Sequence, residues 1–309
     1  MDLSVREVLA RIITVPDMVR AFQDEDHCRH LLEALVWPSG RICPACGYRR
    51  SIALTGRENG RRARPGLYQC SSGTCRFQFT VTTRTPLHAT KLPLRVWLSG
   101  LWLMLQSDKG ISSIRLAEAL GVSQPTAWRM GHALRLMVGR EQALNGVVEI
   151  DSVYLGGKPR REMNYSPPRR GRKGQPKTLK TPALVAVQRP PDVSVGSPSG
   201  EVRAAVIEDL SESEADRVLT DAVNPAAHLM SDEWKTFVSL GSAFASHDTV
   251  HHKAREYARG PVHINSAEGF NDRIRRTVSG VFHHISPHHL ADCVLDRWPE
   301  AARKLCAVL

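Results

Sequence analysis

The chain has 309 residues, with 42 lysines and arginines against 31 acidic residues and a net charge of +11 at pH 7. A composition of 42% hydrophobic and 24% charged residues excludes a wholly disordered chain and is large enough for more than one folded module. The charge excess predicts a polyanionic partner, nucleic acid ahead of an anionic membrane surface. The longest apolar run, residues 96–105, is too short to cross a bilayer, and the first seven residues lack the features of a signal peptide. We therefore expect a cytoplasmic protein without a membrane segment.

The first 40 residues are predicted to form a helical segment. Leu31, Leu32, Leu35 and Val36 fall on one apolar face of a helix that ends near residue 37. Four basic and seven acidic residues give this segment a net negative charge, so the basic excess lies further along the chain.

Residues 41–84 contain two pairs of cysteines and short β-type runs at 68–70 and 77–81. Two such pairs on tight turns can place four thiolates around one structural Zn²⁺, and their spacing favours a zinc ribbon over four reduced, buried thiols. The predicted ligands are Cys43, Cys46, Cys70 and Cys75. The scattered Cys28, Cys293 and Cys306 are interpreted as small buried hydrophobic residues.

Two segments concentrate the positive charge. Residues 41–64 carry seven arginines and one acid, and residues 156–180 carry nine basic residues and one acid. Four prolines and four glycines exclude a helix or a central strand from 156–180, so we predict a basic loop that contacts DNA phosphates. Its predicted DNA contacts are Lys158, Arg169, Arg170, Arg172 and Lys173.

Residues 85–140 are predicted to be helical, with a helix-turn-helix pattern inside them. Gly121 and Val122 make the turn, and Ser123 caps a second helix that can enter a major groove. The alternative is an ordinary pair of core helices, since the pattern is degenerate. The predicted DNA-contacting residues of the second helix are Gln124, Thr126, Arg129 and Arg135, while Ala127, Met130, Leu134 and Met137 are predicted to face a core.

From residue 145 onward, strands alternate with helices, which predicts an α/β domain. Strands are expected at 147–155, 183–188 and 202–207. Asp151 lies in the apolar middle of the first strand, where a carboxylate is costly unless it is paired or binds a metal. Asp232 ends a later apolar strand, and Glu268 lies on a helix that begins near Asn265. The predicted apolar face of that helix is Ile264, Ala267, Phe270, Ile274 and Val278.

These three acids, with thirty-five residues between Asp232 and Glu268, resemble the Asp-Asp-Glu triad of DDE transposases and retroviral integrases. Further segments resemble one group of insertion-sequence transposases, which begin with a zinc ribbon and carry an ISXO2-like catalytic domain. These segments are CPAC (43–46), KLPLRVWL (91–98), VEIDSVYLGGK (148–158), SDE (231–233), HINSAEGF (263–270) and GVFHHISPHHL (280–290). The resemblance covers roughly residues 20–290.

The resemblance implies a multi-module fold: a small zinc ribbon, an all-α region with the helix-turn-helix, and an α/β ribonuclease H-like domain over 145–309 with the basic insert 156–180. It implies a DNA transposase that binds terminal inverted repeats and target DNA, with cleavage and strand transfer driven by two Mg²⁺ ions. Asp151 would bridge both ions, and Asp232 and Glu268 would hold one each. Pairing two element ends implies a homodimer or larger assembly, associated with the nucleoid.

The third ligand can be drawn from two residues one helical turn apart, Asn265 and Glu268. We choose Glu268, because a carboxylate neutralises Mg²⁺ charge and an amide does not. Asn265 would then act from the outer shell. Arg275 stands where the family usually has a lysine, and we expect it to contact DNA. The alternative function is a non-catalytic zinc-ribbon and helix-turn-helix regulator derived from a transposase.

Overall fold

The computed structural model describes residues 12–58, 61–62, 64–107, 109–138, 143–156, 180–190, 200–283, 285 and 287–290. Their backbone divides into two compact units. One holds residues 12–107 and 113–138, and the other holds residues 109–112 and the described residues from 143 onward. Across the described ranges, no helix combines the length and apolar character needed to cross a membrane.

The described residues of the first unit include five helices. They are α1 (Val15–Ala21), α2 (Glu25–Val36), α3 (Leu94–Leu105), α4 (Ser113–Leu120) and α5 (Gln124–Val138). Thr14 and Asp17 form a capping box at the start of α1, and Asp24 caps α2. The predicted N-terminal helical segment is thus two helices among the described residues, because the Asp24 cap begins a second one.

The helices α1, α2 and α3 share an apolar core. Leu31 and Cys28 of α2 pack there with Leu98 of α3, and Trp102 Nε1 donates to the Ile12 carbonyl at 2.9 Å. Burial of Cys28 as a small hydrophobic residue is confirmed, and that burial raises the pKa of its thiol to about 11. Val36 departs from the predicted apolar face, since 39% of it is exposed. Cys293 and Cys306 lie outside the described residues.

The ribbon between α2 and α3 contains short strands. They are β1 (Ser51–Ala53), β2 (Arg57–Glu58), β3 (Arg61–Arg62), β4 (Tyr68–Cys70) and β5 (Gln78–Phe79). An antiparallel sheet has the order β1-β4-β5, and β2 pairs with β3. Trp37 packs edge-on against Tyr68 and Phe79 at 5.9 Å between ring centroids, which supplies a small core beside the cysteines.

Within the predicted helical region the structure describes three helices. The break between α4 and α5 falls at the predicted turn, residues 121–123, whereas the separation of α3 from α4 was not predicted. Gly121 adopts a left-handed backbone with φ of +65°, which ends α4 and allows the three-residue turn to α5. Ala127, Met130 and Leu134 are buried as predicted, while Met137 is half-buried.

The second unit is a mixed five-stranded sheet. Its strands are β6 (Val147–Leu155), β7 (Thr181–Gln188), β8 (Val202–Val206), β9 (His228–Asp232) and β10 (Ser246–Val250). Their spatial order is β10-β9-β6-β7-β8, in which β6, β7 and β8 pair antiparallel and β9 and β10 continue parallel to β6. The predicted strands 147–155, 183–188 and 202–207 are confirmed to within two residues.

Helices cover both faces of this sheet. They are α6 (Glu212–Ala222), α7 (Lys235–Leu240), α8 (Asn265–Thr277) and α9 (Pro287–Leu290); a hairpin of β11 (Ala258–Arg259) and β12 (Val262–His263) precedes α8, and the π-helical turn Val278–Phe282 follows it. Val148 and Ile150 face a core with α6, whereas Val153 and Leu155 face α8. Since side chains alternate along a strand, Asp151 is on the α8 face.

Candidate active site and metal centres

Asp151 is the central acid of the sheet. It stands in the middle of β6, opposite Val185 of β7, and its Oδ1 accepts a hydrogen bond from the Ser152 amide at 2.7 Å. Val153, two residues further on, packs with Ala267 and Phe270 of α8. The Asp151 carboxylate therefore lies under the helix that carries the third predicted acid.

Asp232 ends the neighbouring parallel strand on the same face. Glu149 of β6 is in register with Met230 of β9, and Asp151 and Asp232 each come two residues later. Because adjacent strands are about 4.8 Å apart and side chains alternate, the two carboxylates leave the sheet side by side. Asp232 Oδ1 also accepts from the Trp234 amide at 3.0 Å, which fixes its orientation where β9 ends.

Glu268 lies in the first turn of α8. The predicted apolar face of this helix is confirmed, since all five of its residues are buried. The side chain of Glu268 is 47% exposed, and its Oε1 lies 3.9 Å from His252 Nε2. The backbone of His252 is held in turn by Glu233, whose Oε2 accepts from the His252 amide at 2.6 Å. Asn265, the competing third residue, is exposed at the first position of α8.

The pKa of Asp151 is affected by both of the other acids. Burial raises the pKa of Asp151 to about 6, and the negative charges of Asp232 and Glu268 contribute in the same direction; hydrogen bonds from Ser152 and Asn271 oppose it. Three carboxylates that repel one another around a buried centre form a site that a cation would stabilise.

The three acids are nevertheless spread more widely than a closed metal cage. Among the described residues, one set of three or more cysteine, histidine or acidic side chains has all its ligand atoms within 4.8 Å of one another, and that set is the cysteine quartet. The carboxylates of Asp151, Asp232 and Glu268 share one face of the sheet without meeting that limit. The half-exposed Glu268 side chain has the rotamer freedom to move toward the other two.

A buried network that the sequence did not reveal holds α8 against β6. Glu149 is fully buried, and its carboxylate accepts from the backbone amides of Ser266 and Ala267 at 2.7 and 3.0 Å, which caps α8. The Arg189 guanidinium pairs with Glu149 at 2.5 Å and donates to the His263 carbonyl at 2.6 Å. This network sets the position of the helix turn that carries Glu268.

Asn271 is a further residue that the sequence did not single out. Its Nδ2 donates to Asp151 Oδ2 at 2.8 Å, although 120 residues separate the two positions. The available signal was its place on the apolar side of α8, between Ala267 and Ile274, where a polar side chain is unexpected.

The four cysteines have the geometry of a tetrahedral metal site. Their sulfurs all lie within 4.8 Å of one another, with Cys43 Sγ 3.9 Å from Cys75 Sγ and Cys46 Sγ 3.6 Å from Cys70 Sγ. Tetrahedral Zn²⁺ with bonds of about 2.3 Å places its sulfurs about 3.8 Å apart. The quartet therefore fits Zn²⁺, without an open ligand position.

The thiols of the quartet also differ in acidity. Burial opposes ionisation of Cys43, but hydrogen bonds from the amides of Ala45 and Cys46 lower its pKa to about 7. Burial raises the pKa values of the other three thiols, and neighbouring thiols contribute, against opposing hydrogen bonds from backbone amides. A cation bound at the quartet would hold all four as thiolates.

The structure describes five of the predicted DNA-contacting residues. Gln124 and Arg129 are exposed on α5, while Thr126 and Arg135 are half-buried. Gln124 Nε2 donates to Ser113 Oγ at 2.7 Å, and Thr126 contacts Ser123 through their hydroxyls at 2.8 Å. Arg275 pairs with Asp272 at 3.1 Å on the exposed side of α8. The predicted contacts at 158, 169, 170, 172 and 173 lie outside the described residues.

Comparison with known families agrees with both modules. Residues 23–78 match the family model described as a transposase zinc-ribbon domain, and residues 143–293 match the one described as an ISXO2-like transposase domain. The chain belongs to the insertion-sequence transposases that carry these two domains, which confirms the family predicted from the sequence.

Two individual proteins are similar to the chain over most of its length. An uncharacterized protein in transposable element ISH50 of Halobacterium salinarum is 25% identical over 269 residues, which cover 84% of this chain and 85% of that protein. A chain in the cryo-EM structure of the simian T-cell lymphotropic virus intasome with PP2A regulatory subunit B56 gamma aligns at 13% identity and a TM-score of 0.28. That alignment covers 63% of this chain and less than two thirds, 65%, of the other chain.

The raised pKa of Asp151 predicts a stability effect with a definite sign. Since its pKa of about 6 in the folded state exceeds the value near 3.9 of an unfolded chain, the folded state binds more protons between these pH values. Stability therefore falls as pH rises from about 4 to 6, and Asp151→Asn should remove that loss. Above pH 6, in buffers free of Mg²⁺, we expect Asp151→Asn to stabilise the second unit by on the order of 2 kcal/mol.

Thermal unfolding of both proteins from pH 4 to 7.5 measures this difference. Asp221→Asn, which changes an exposed carboxyl on α6, is the matched control and should leave the profile unchanged. Equal melting temperatures for wild type and Asp151→Asn at every pH would contradict the buried, repelled carboxylate described above.

Proposed function

We propose that the protein is a DNA transposase that binds the terminal repeats of its element, cleaves the strands and joins their 3′ ends to target DNA. The observation that carries the proposal is the placement of Asp151, Asp232 and Glu268 on one face of the sheet, from β6, β9 and α8. A sheet of order β10-β9-β6-β7-β8, with three antiparallel strands followed by two parallel ones, supports a ribonuclease H-like assignment for this domain.

The chemistry of the donor set fits divalent cations with a preference for oxygen. Two Mg²⁺ ions held by three carboxylates and substrate phosphates would activate a water, then a 3′-hydroxyl, and stabilise the leaving oxygen of an in-line displacement. Asp151 would be the central ligand, because it stands between the strand end of Asp232 and the helix turn of Glu268. The Glu149–Arg189 network keeps that turn against β6, so the backbone that carries Glu268 is fixed relative to Asp151.

DNA binding is assigned to α5, to the two basic segments and to Arg275. The exposed Gln124 and Arg129 of α5 are suited to base edges in a major groove. The basic segments 41–64 and 156–180 supply the phosphate contacts, as does Arg275 near the acids. A groove between α2 and the ribbon presents Arg41, Arg49 and Arg50, which suit a phosphate backbone; its lining also includes His30, Glu33, Trp37 and Ser71.

A strand-transfer assay tests the proposal directly. Purified full-length protein is incubated with labelled element ends, a supercoiled target plasmid and Mg²⁺, and joined products are resolved on a denaturing gel. We expect cleaved and joined strands that depend on Mg²⁺ and on the terminal sequence. Binding of the ends without cleavage, under Mg²⁺ or Mn²⁺, would instead identify a non-catalytic DNA-binding regulator.

A further inference from the structure

Asn271 is a buried polar residue beside the three acids. It lies three residues after Glu268, so both side chains are on adjacent turns of the same side of α8. Only 1% of Asn271 is exposed, and its Nδ2 donates to Asp151 Oδ2 at 2.8 Å. The helix thus contributes an amide at the point where β6 contributes its central carboxylate.

The oxygen of this amide is unpaired in the part of the chain that the structure describes. Asn271 Oδ1 is buried and has no hydrogen-bond partner among the described residues. An ionised carboxylate only accepts hydrogen bonds, so the amide nitrogen must face Asp151 and the oxygen remains an unfilled acceptor. Leaving a buried acceptor unpaired costs about 1–3 kcal/mol. Leucine in this place would avoid that cost beside Phe270 and Ile274, so the amide is unfavourable for packing alone.

We propose that Asn271 is a fourth member of the metal centre, an inference that rests on the proposed function. Its Nδ2 positions the Asp151 carboxylate, and its Oδ1 accepts a hydrogen bond from a water in the hydration shell of the bound cation. Mg²⁺ keeps several of its waters when it binds to proteins, so the site requires acceptors for them as well as ligands for the ion. Asn271 offers such an acceptor, because its Oδ1 is buried without a partner among the described residues and its Nδ2 contacts Asp151.

The test separates this role from a purely structural one by measuring metal binding without DNA. Asn271→Leu keeps the volume but removes both polar atoms. Loss of the unpaired oxygen is favourable and loss of the hydrogen bond to Asp151 is unfavourable, so we expect the fold to be retained. The Mg²⁺-induced rise in melting temperature, titrated over Mg²⁺ concentration, gives the apparent affinity. We expect Asn271→Leu to weaken Mg²⁺ binding about 10- to 100-fold, the usual effect of losing an outer-shell partner.

Asn224→Leu is the matched control. It makes the same change in the turn before β9, at the opposite end of the strand from Asp232, where the Asn224 side chain accepts from the Ala226 amide. This control should leave the Mg²⁺ affinity within twofold of wild type, whatever its stability. Asn271→Ala, which leaves a cavity in place of a larger side chain, should repeat the loss of affinity if Asn271→Leu fails to fold.

The outcomes distinguish the two proposals. An unchanged Mg²⁺ affinity in a folded Asn271→Leu or Asn271→Ala protein would overturn the role of Asn271 and leave the metal site intact. Absence of any Mg²⁺- or Mn²⁺-dependent stabilisation in the wild-type protein would overturn the metal site itself, and the role of Asn271 with it.

Discussion

Asp151→Asn, Asp232→Asn and Glu268→Gln should each lower strand cleavage by more than about 10³-fold while leaving the affinity for terminal DNA within a few-fold of wild type. Each change removes one negative charge from a site where carboxylates neutralise divalent cations, which is worth at least about 4 kcal/mol of transition-state stabilisation. The substitutions keep side-chain volume, so the fold is retained. Cleavage of labelled ends under single-turnover conditions gives the rate, and gel-shift titration gives the affinity.

The same assay decides which residue of α8 is the third ligand. Asn265→Ala should keep measurable cleavage, because Asn265 is exposed at the first position of the helix and carries no charge. Glu233→Gln is a useful comparison, since Glu233 follows Asp232 in sequence but binds the backbone of His252. An active Glu268→Gln protein together with an inactive Asn265→Ala protein would identify Asn265 as the third metal ligand. That result would not contradict the proposal that the protein is a transposase.

The ribbon should hold one Zn²⁺ per chain and lose it when one ligand is removed. Cys43→Ser or Cys46→Ser leaves three thiols and a weak hydroxyl, and we expect zinc to be released and the β1-β4-β5 sheet to unfold. The small aromatic cluster around Trp37 cannot replace the free energy of metal binding, which in isolated zinc modules is on the order of 10 kcal/mol or more. Elemental analysis measures the metal, and proteolysis of residues 41–84 reports the unfolding.

Cys28→Ser is the control for this experiment. Cys28 is buried in the helical core, away from the quartet, and its change should leave the zinc content unchanged while lowering stability modestly. Freshly purified, reduced protein that contains no zinc would refute the assignment of the quartet as a metal site.

Local patterns in the sequence were enough to locate the main elements of the site. The apolar run around Asp151 predicted β6 with its observed bounds, and the periodicity after Ile264 predicted the start of α8 and its buried face. The pairing of cysteines predicted the quartet that the fold brings together. In each case the signal is contained within a short stretch of chain, so periodicity or spacing alone reveals it.

The supporting residues could not be predicted in the same way, because their partners are distant in sequence. Asn271 acts through its hydrogen bond to Asp151. Glu149 acts through its contacts with Arg189 and with the amides of Ser266 and Ala267. On the sequence alone, Asn271 reads as one polar residue in an amphipathic helix, and Glu149 as an acid in a strand. Only the register of β6 under α8 shows that both are buried.

The pairing of Glu149 with Arg189 has a consequence for the charge balance at the site. Glu149 stands two positions before Asp151 on the same face of β6, so an unpaired carboxylate there would add a fourth negative charge close to the acids. Arg189 cancels it. With the two divalent cations proposed above, the three carboxylates would leave one net positive charge, which matches the single negative charge of a phosphodiester. With Glu149 uncompensated, that sum would be zero, and the centre would lose its electrostatic attraction for the DNA backbone.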